Sequence, residues 1–375
     1  MEDSLHYRHV LSTRSIKVIV FSHQRIKMRE LLVHRGPKIV TVDSPIALPA
    51  PGQVTIKVHV VAANPKDWKM SEWFEDRAIN EGEDMAGTIY AIGEGVVGFS
   101  VGDRVAALHD NTSPHGAYAE YAIAWAYTTF HINSNISFEE ASTVPLAATA
   151  AAWALYRDLA LQAPWNPMPQ LQKMPLIING GSTAVGAFAI KLALLSNVHP
   201  IIAIAGSGAS YVDTLLNHES GDVCVDYRHG AENTLQRVRT ALAGSEARHA
   251  VEAVGDASGL ALLQQLVAQD GTISMSLPVG KSDSIELKKE ARTLLMSSVS
   301  VHETMAPFPP GGKVFGFILS QFFGYAMRNG MLKGHPYRVV PGGLSGVQEA
   351  LEDLKKGMAS ATKFVMRVEE DIRLT

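Results

Sequence analysis

The chain has 375 residues, of which 46% are hydrophobic and 19% charged, with a formal net charge of −4. That length predicts two domains, each able to bury a core, and the small charge excludes holding DNA or an anionic membrane by bulk electrostatics. No apolar run reaches the ~20 residues that span a bilayer. The lone cysteine, Cys224, excludes an internal disulfide, which fits a reducing, cytoplasmic setting.

Residues 1–27 differ from the rest. They carry five basic residues, four interspersed serines and acids only at Glu2 and Asp3. They read as an N-terminal extension, disordered or a mis-assigned start, with a mitochondrial transit peptide as the other reading. At Met28 a strand-like run begins and ends at Gly36-Pro37. Residues 54–62 alternate as a half-buried strand does. Frequent glycines from Gly82 to Gly116 then punctuate short strands, the pattern of a small β-barrel. The character changes after Phe138, where Glu139 and Glu140 open a helical, alanine-rich stretch to Leu161, their acids placed where a helix dipole favours them. Four prolines between Pro164 and Pro175 mark a loop.

From Leu176 onward strands and helices alternate. Strands are expected at 176–179, 200–205, 222–225, 250–254 and 271–275, with an apolar helix at 186–196 and another ending at Leu216. This rhythm predicts a parallel, doubly wound sheet with right-handed crossovers. A final helix (346–356) and strand (363–368) break the rhythm and are assigned back to the first domain. The expected architecture is α/β, with a β-barrel domain over 28–145 and 307–375 around a doubly wound domain over 146–306.

The sharpest motif is Gly180-Gly181-Ser182-Thr183-Ala184-Val185-Gly186, set between a strand and a helix. Glycines there let the backbone approach a pyrophosphate, whose charge the helix N-terminus stabilises. The alternative is a glycine-rich turn with no ligand. After the second strand, where an NAD enzyme places an acid on the ribose, the chain reads Gly206-Ser207-Gly208-Ala209-Ser210. With no carboxylate to repel a 2′-phosphate, and with Ser207 and Ser210 as donors, NADPH is favoured over NADH. Asn64-Pro65-Lys66-Asp67-Trp68-Lys69 follows a strand and is of active-site composition. Lys69 is the candidate catalytic residue, for a phosphate or a developing enolate oxygen; solvated loop charges are the alternative. Cys224 reads as an inert packing thiol. The 14 histidines are scattered, and a structural zinc site needs about four Cys or His ligands, so no metal is expected.

Glu83-Asp84-Met85-Ala86-Gly87, Val101-Gly102-Asp103-Arg104-Val105 and Gly116-Ala117-Tyr118-Ala119-Glu120-Tyr121 resemble the GroES-like half of medium-chain dehydrogenases/reductases, and the glycine motif resembles their Rossmann half. The zinc enzymes of that superfamily carry a Cys after the first strand and a Gly-His-Glu motif. Here those places hold Asn64-Pro65 and Gly82-Glu83-Asp84, which points to the zinc-independent, quinone-oxidoreductase-like branch. His335-Pro336-Tyr337-Arg338 through Leu344, and Lys356 through Lys363, are similar to the fungal trans-acting enoyl reductases of polyketide biosynthesis. One departure is Ala361-Thr362-Lys363, where Gly-Glu-Lys is usual.

By that resemblance the cofactor site takes Lys66, Asp67, Trp68 and Lys69, together with Ser182, Thr183, Ala184, Val185, Gly186, Ala187 and Phe188. It also takes Ser207, Ser210, Tyr211, Val212, Asp213, Tyr227, Leu277, Pro278, Ser360 and Ala361. The substrate channel takes Ala151, Ala152, Trp153, Ala154, Leu155, Tyr156, Arg157 and Asp158, and Val301, His302, Glu303, Thr304 and Met305. The implied reaction is conjugate reduction of a carbonyl-activated C=C bond, free or carrier-protein-bound, by a monomer working beside a polyketide synthase. Two rival readings stand beside it: a stand-alone NADPH quinone or enone reductase on small substrates, and a non-catalytic NADPH-binding partner protein.

Overall fold

A computed structural model describes residues 27–73, 78–170, 172–276, 291–293, 301–303 and 310–369. The extension up to residue 26, and the candidates Leu277, Pro278, Thr304 and Met305, lie outside the described residues. Among the described residues no helix is long and apolar enough to cross a membrane.

The described residues begin with an antiparallel hairpin, β1 (Lys27–His34) and β2 (Lys38–Pro45). A mostly antiparallel, seven-stranded sheet follows. It is centred on β3 (Gln53–Ala62), which pairs with β4 (Asp84–Ile92) and β6 (Tyr121–Trp125). Two further strands, β5 (Arg104–Leu108) and β7 (Thr129–His131), extend the β4 side. A strand near the C-terminus, Lys363–Arg367, closes the other side of β3 antiparallel. Strand Lys363–Arg367 thus joins the first sheet. Val54, Ile56, Val58 and Val61 of β3 pack with Ile89, Val105 and Phe364 in one core. Burying each such side chain is worth about 1.5–3 kcal/mol.

Residues 64–69 form no loop. Helix α1 (Pro65–Trp73) starts there, and its first turn explains why. Proline suits the first helical position. The Asp67 carboxylate accepts from Asn64 N at 2.8 Å while Asp67 N donates to Asn64 O at 3.0 Å, a reciprocal cap.

After α2 (Phe138–Ser142), capped by the Ser137 hydroxyl, comes α3 (Pro145–Trp153), which runs into a π-helical turn at Ala154–Asp158. Its alanines let α3 pack against α4 (Ala184–Leu195), with Ala147, Ala151, Phe188 and Ala189 in one core.

The second sheet is parallel. In chain order its strands are β8 (Leu176–Asn179), β9 (Ile201–Ala205), β10 (Val223–Asp226), β11 (Ala247–Glu252), β12 (Val267–Met275) and β13 (Ala291–Thr293). They lie side by side as β10-β9-β8-β11-β12-β13, the Rossmann order. Every residue of β8 and β9 is buried, as helices on both faces require. Helices α5 (Ala209–Asp213), α6 (Ala231–Leu242) and α7 (Ala257–Leu266) complete the crossovers. Several boundaries differ from the sequence reading. Strand β12 starts at Val267 rather than Gly271 and β11 at Ala247 rather than Ala250. Helix α5 stops at Asp213 rather than Leu216, and β11 stops at Glu252 because the chain then turns through Gly255 at φ +82°.

Helix α8 (Gly312–Arg328), not anticipated from sequence, packs Leu319, Phe323 and Ala326 into the α3–α4 core. Strand β14 (Tyr337–Val339), helix α9 (Val347–Lys355) and the strand that pairs with β3, β15 (Lys363–Arg367), are the last described elements.

Candidate active site

The order of the parallel sheet reverses between β8 and β11, so the chain leaves their carboxyl ends in opposite directions and opens a crevice. A cavity of about 200 Å³ lies there, between the two sheets. Asn64, Pro65, Lys66 and Lys69 form one wall, and Leu146, Ala147 and Ala150 of α3 another. Thr183, Ala184 and Val185 at the head of α4, Ala253 and Val254 after β11, and Ser276 close it.

The α4 end is built from the glycine motif. Gly180 sits at φ +82°, open to glycine with little strain. A Cβ on Gly186 would collide with the Gly180 carbonyl oxygen, so the strand-to-helix turn closes only without a side chain there. The Thr183 hydroxyl accepts from Gly186 N at 3.0 Å, which leaves the N–H groups of Ala184 and Val185 at the cavity as first-turn donors. This cradle fits a pyrophosphate.

The turn after β9 is crowded around its glycines. A Cβ on Gly206 would meet the Tyr227 ring at 2.7 Å, and one on Gly208 would meet Ser182 at 2.5 Å and Ala361 at 3.1 Å. The Ser207 and Ser360 hydroxyls are hydrogen-bonded at 2.8 Å. Ser182, Ser207, Tyr227, Ser360 and Ala361, far apart in sequence, therefore gather at this turn. Of the two nearby bases, the exposed Arg228 is bonded to the Asp226 carboxylate, at 2.6 Å for its shortest contact, and Lys191 donates to the carbonyls of Lys333 and Gly334.

The two lysines of α1 differ sharply. Lys66 is buried, with Nζ 2.5 Å from Glu83 Oε1, 2.8 Å from Glu81 O and 3.3 Å from Asp67 Oδ1. Burial alone would lower its pKa, but the carboxylates of Glu83, Asp67 and Glu81 outweigh it and hold the ammonium well above its usual range. Burial pushes Asp67 up to about 6, against the pull of Lys66 and of the Tyr118 hydroxyl, 2.5 Å away. Lys69 is half-buried, and among the described residues its ammonium makes no hydrogen bond or ion pair; the Trp68 ring lies at 5.8 Å. Burial lowers its pKa, partly offset by the Glu252 carboxylate. Glu252 is itself raised by burial and accepts from Val254 N and Gly255 N, anchoring the cavity wall after β11.

Other sequence candidates stand elsewhere. Asp67, Ala187, Phe188 and Val212 are fully enclosed, so their side chains offer nothing to a ligand. Tyr211 packs on His335, and the exposed Asp213 lies 3.4 Å from His218. Of the channel residues expected along 151–158, Ala151, Ala152, Trp153, Ala154 and Leu155 are buried, and the residues of α3 that line this cavity are Leu146, Ala147 and Ala150. Tyr156 donates to Leu192 O, Arg157 lies over Trp153, and Asp158 accepts from Ser274. Val301 packs with Leu108 and Trp153, His302 Nδ1 is 2.9 Å from the Tyr127 hydroxyl, and Glu303 accepts from Lys313 N. Sequence reasoning missed Ala253, Val254 and Ser276. The signal was available, since ligands bind at the carboxyl ends of parallel strands. Cys224 is partly buried, its thiol pushed up to about 11 by burial, and takes no part.

Comparison with known proteins agrees with this architecture. Residues 50–134 match the alcohol dehydrogenase GroES-like domain. The chain is 40% identical to the trans-enoyl reductase fsr4 of Gibberella fujikuroi over 323 residues, 85% of this chain and 92% of that protein. It is 28% identical to lovC of Aspergillus terreus, the enoyl reductase component of lovastatin nonaketide synthase, over 84% of this chain and 89% of that one. Among solved structures, mycobacterial Rv1454c complexed with NADPH shares the fold, with a TM-score of 0.71 and 22% identity over 91% of this chain and 99% of that one.

Proposed function

We propose that this chain, which belongs to the trans-enoyl reductase family, reduces a carbonyl-conjugated C=C bond with NADPH, acting in trans on intermediates of a polyketide synthase. The observation that carries the reading is Lys69, a half-buried ammonium with no protein partner among the described residues, beside an apolar cavity at the mouth of the glycine turn.

When bound, a reduced nicotinamide supplies hydride to the β-carbon of the enone. The residues that would hold the cofactor are the α4 N–H groups of Ala184 and Val185 for the pyrophosphate and the Ser207–Ser360 hydroxyl pair for the ribose end. The turn Gly206-Ser207-Gly208 carries a hydroxyl and no carboxylate, which favours a 2′-phosphate. Lys69 would donate a hydrogen bond to the substrate carbonyl oxygen as negative charge develops there. Because burial has lowered its pKa, it also gives up a proton more readily than a solvated lysine. Leu146, Ala147, Ala150, Ala253 and Val254 keep water from the reacting carbons, which strengthens that hydrogen bond.

A catalytic zinc does not fit. Asn64, Glu83 and Asp84 occupy the positions discussed above, and their oxygens are engaged by the ammonium groups of Lys66 and Lys363.

The test is NADPH oxidation followed with crotonyl and longer enoyl thioesters beside a quinone series, repeated with NADH. Turnover of thioesters, faster with NADPH than NADH, is expected. Turnover of quinones alone would replace the reading with a stand-alone quinone reductase, and cofactor binding without turnover of any acceptor would make the chain a non-catalytic NADPH-binding protein.

A further inference from the structure

Asp84, Asn64 and Lys363 form a closed triangle at the base of the cavity. Asp84 opens β4 and is fully buried, and Lys363 opens β15 with only 4% of its surface exposed. Lys363 Nζ donates to Asp84 Oδ2 at 2.5 Å and to Asn64 Oδ1 at 2.8 Å. Asn64 Nδ2 donates to Asp84 Oδ2 at 2.9 Å, so each pair of the three is hydrogen-bonded. The other oxygen of Asp84 accepts from Leu146 N at 2.7 Å, in the first turn of α3. One carboxylate thus ties together three segments, two of which, at Asn64 and Leu146, line the cavity.

Two physical points follow. An amide whose oxygen meets an ammonium and whose nitrogen meets a carboxylate has one orientation, because a flip would set donor against donor and acceptor against acceptor. A buried ion pair gains little net stability over apolar side chains of the same volume, and its best-attested use is to specify one arrangement. Here the arrangement specified is the amide of Asn64 on the cavity wall and its separation from α3.

We infer that Lys363 and Asp84 are positioning residues that act through Asn64, holding that amide where the enone must lie against it for reduction. The inference rests on the proposed reaction. It names the device that aligns the substrate, and it assigns Lys363 a role distinct from Lys66, whose partners are Glu81, Glu83 and Asp67.

The experiment is a double-mutant cycle with Asn64→Leu, Lys363→Met and the double variant. It is read as kcat and KM for an enoyl thioester, with NADPH affinity from fluorescence titration. Each single variant is expected to lower kcat about tenfold or more, the scale of a sub-ångström misplacement. KM should change less than about threefold and NADPH affinity less than about twofold, since the pyrophosphate cradle is untouched. The double variant should be no slower than Asn64→Leu, because Lys363 then has no amide left to position.

Wild-type kcat in Asn64→Leu, or full additivity in the double variant, overturns the inference while leaving the reaction standing. If Lys363→Met does not fold, Asn64→Leu alone decides by the same criterion. If the wild-type protein reduces quinones or free enones but no thioester, the proposed reaction falls, and the same loss in Asn64→Leu on those substrates upholds the inference. A wild-type protein that reduces no acceptor overturns both.

Discussion

Replacing Lys66 with methionine should destabilise the protein, and in a pH-dependent way. The ammonium sits among three fully enclosed carboxylates, those of Asp67, Glu81 and Glu83. Methionine keeps most of the aliphatic stem, so little packing is lost; what goes is the positive charge. Breaking a buried ion pair by removing one partner costs about 3–5 kcal/mol. Against an unfolding entropy of about 2 cal/mol/K per residue, 4 kcal/mol lowers the midpoint of a chain this long by about 5 °C. The pH dependence has a definite sign. Asp67, already raised to about 6 by burial against the pull of Lys66, will have a still higher folded-state pKa without the lysine. The folded variant then binds protons that the unfolded chain does not hold until near pH 4, so its deficit shrinks as pH falls. Scanning calorimetry of both proteins at pH 7.5 and 5.5 measures it. A midpoint within about 1 °C of wild type at pH 7.5, or a deficit that deepens at pH 5.5, would refute the reasoning.

Four further outcomes are expected. Lys69→Ala should lower kcat for enoyl reduction by about 100-fold, the scale of one lost oxyanion donor, with NADPH affinity little changed; unaltered turnover removes its assigned role. Gly186→Ala places a methyl against the Gly180 carbonyl, so NADPH affinity in a fluorescence titration should fall by more than about tenfold, and an unchanged affinity would mean that the turn is not the pyrophosphate cradle. Ala150→Leu fills part of the cavity, and the ratio of kcat/KM for branched over linear enoyl thioesters should drop about tenfold, as overpacking by 1–3 kcal/mol implies; an unchanged ratio puts the acyl chain elsewhere. Burial pushes His335 down to about 3, so the fold refuses a proton that the unfolded chain accepts below about pH 6.5, and stability drains by about 1.4 kcal/mol per pH unit between those values. His335→Gln should therefore lose about 2 kcal/mol less than wild type between pH 7 and pH 5 in urea unfolding, and an equally steep acid limb in the variant would exclude His335 as its source.

The sequence by itself determined the two-part architecture and the nucleotide turn. These signals are local: a period of two in β3, an apolar run bounded by glycines at β8, and a glycine where no Cβ fits at Gly186. It also displayed Asn64, Glu83 and Asp84 where the zinc enzymes that the chain resembles carry their ligands, because those are identities at single positions. Helix α1 was harder to see, since its start depends on Asp67 reaching back to Asn64 N rather than on apolar periodicity. Which face of α3 meets the cavity was out of reach as well. The helix is apolar all round, and packing against α4 chose Leu146, Ala147 and Ala150 over the residues that follow.

Only the tertiary structure separated Lys66 from Lys69. Three positions apart on one helix, they look interchangeable in the sequence, yet one ammonium is spent on buried carboxylates and the other faces the cavity. The same holds for Lys363, which meets Asn64 across 299 positions of chain. Local propensity operates within a few residues, whereas the state of a buried charge depends on whichever charges the fold brings beside it.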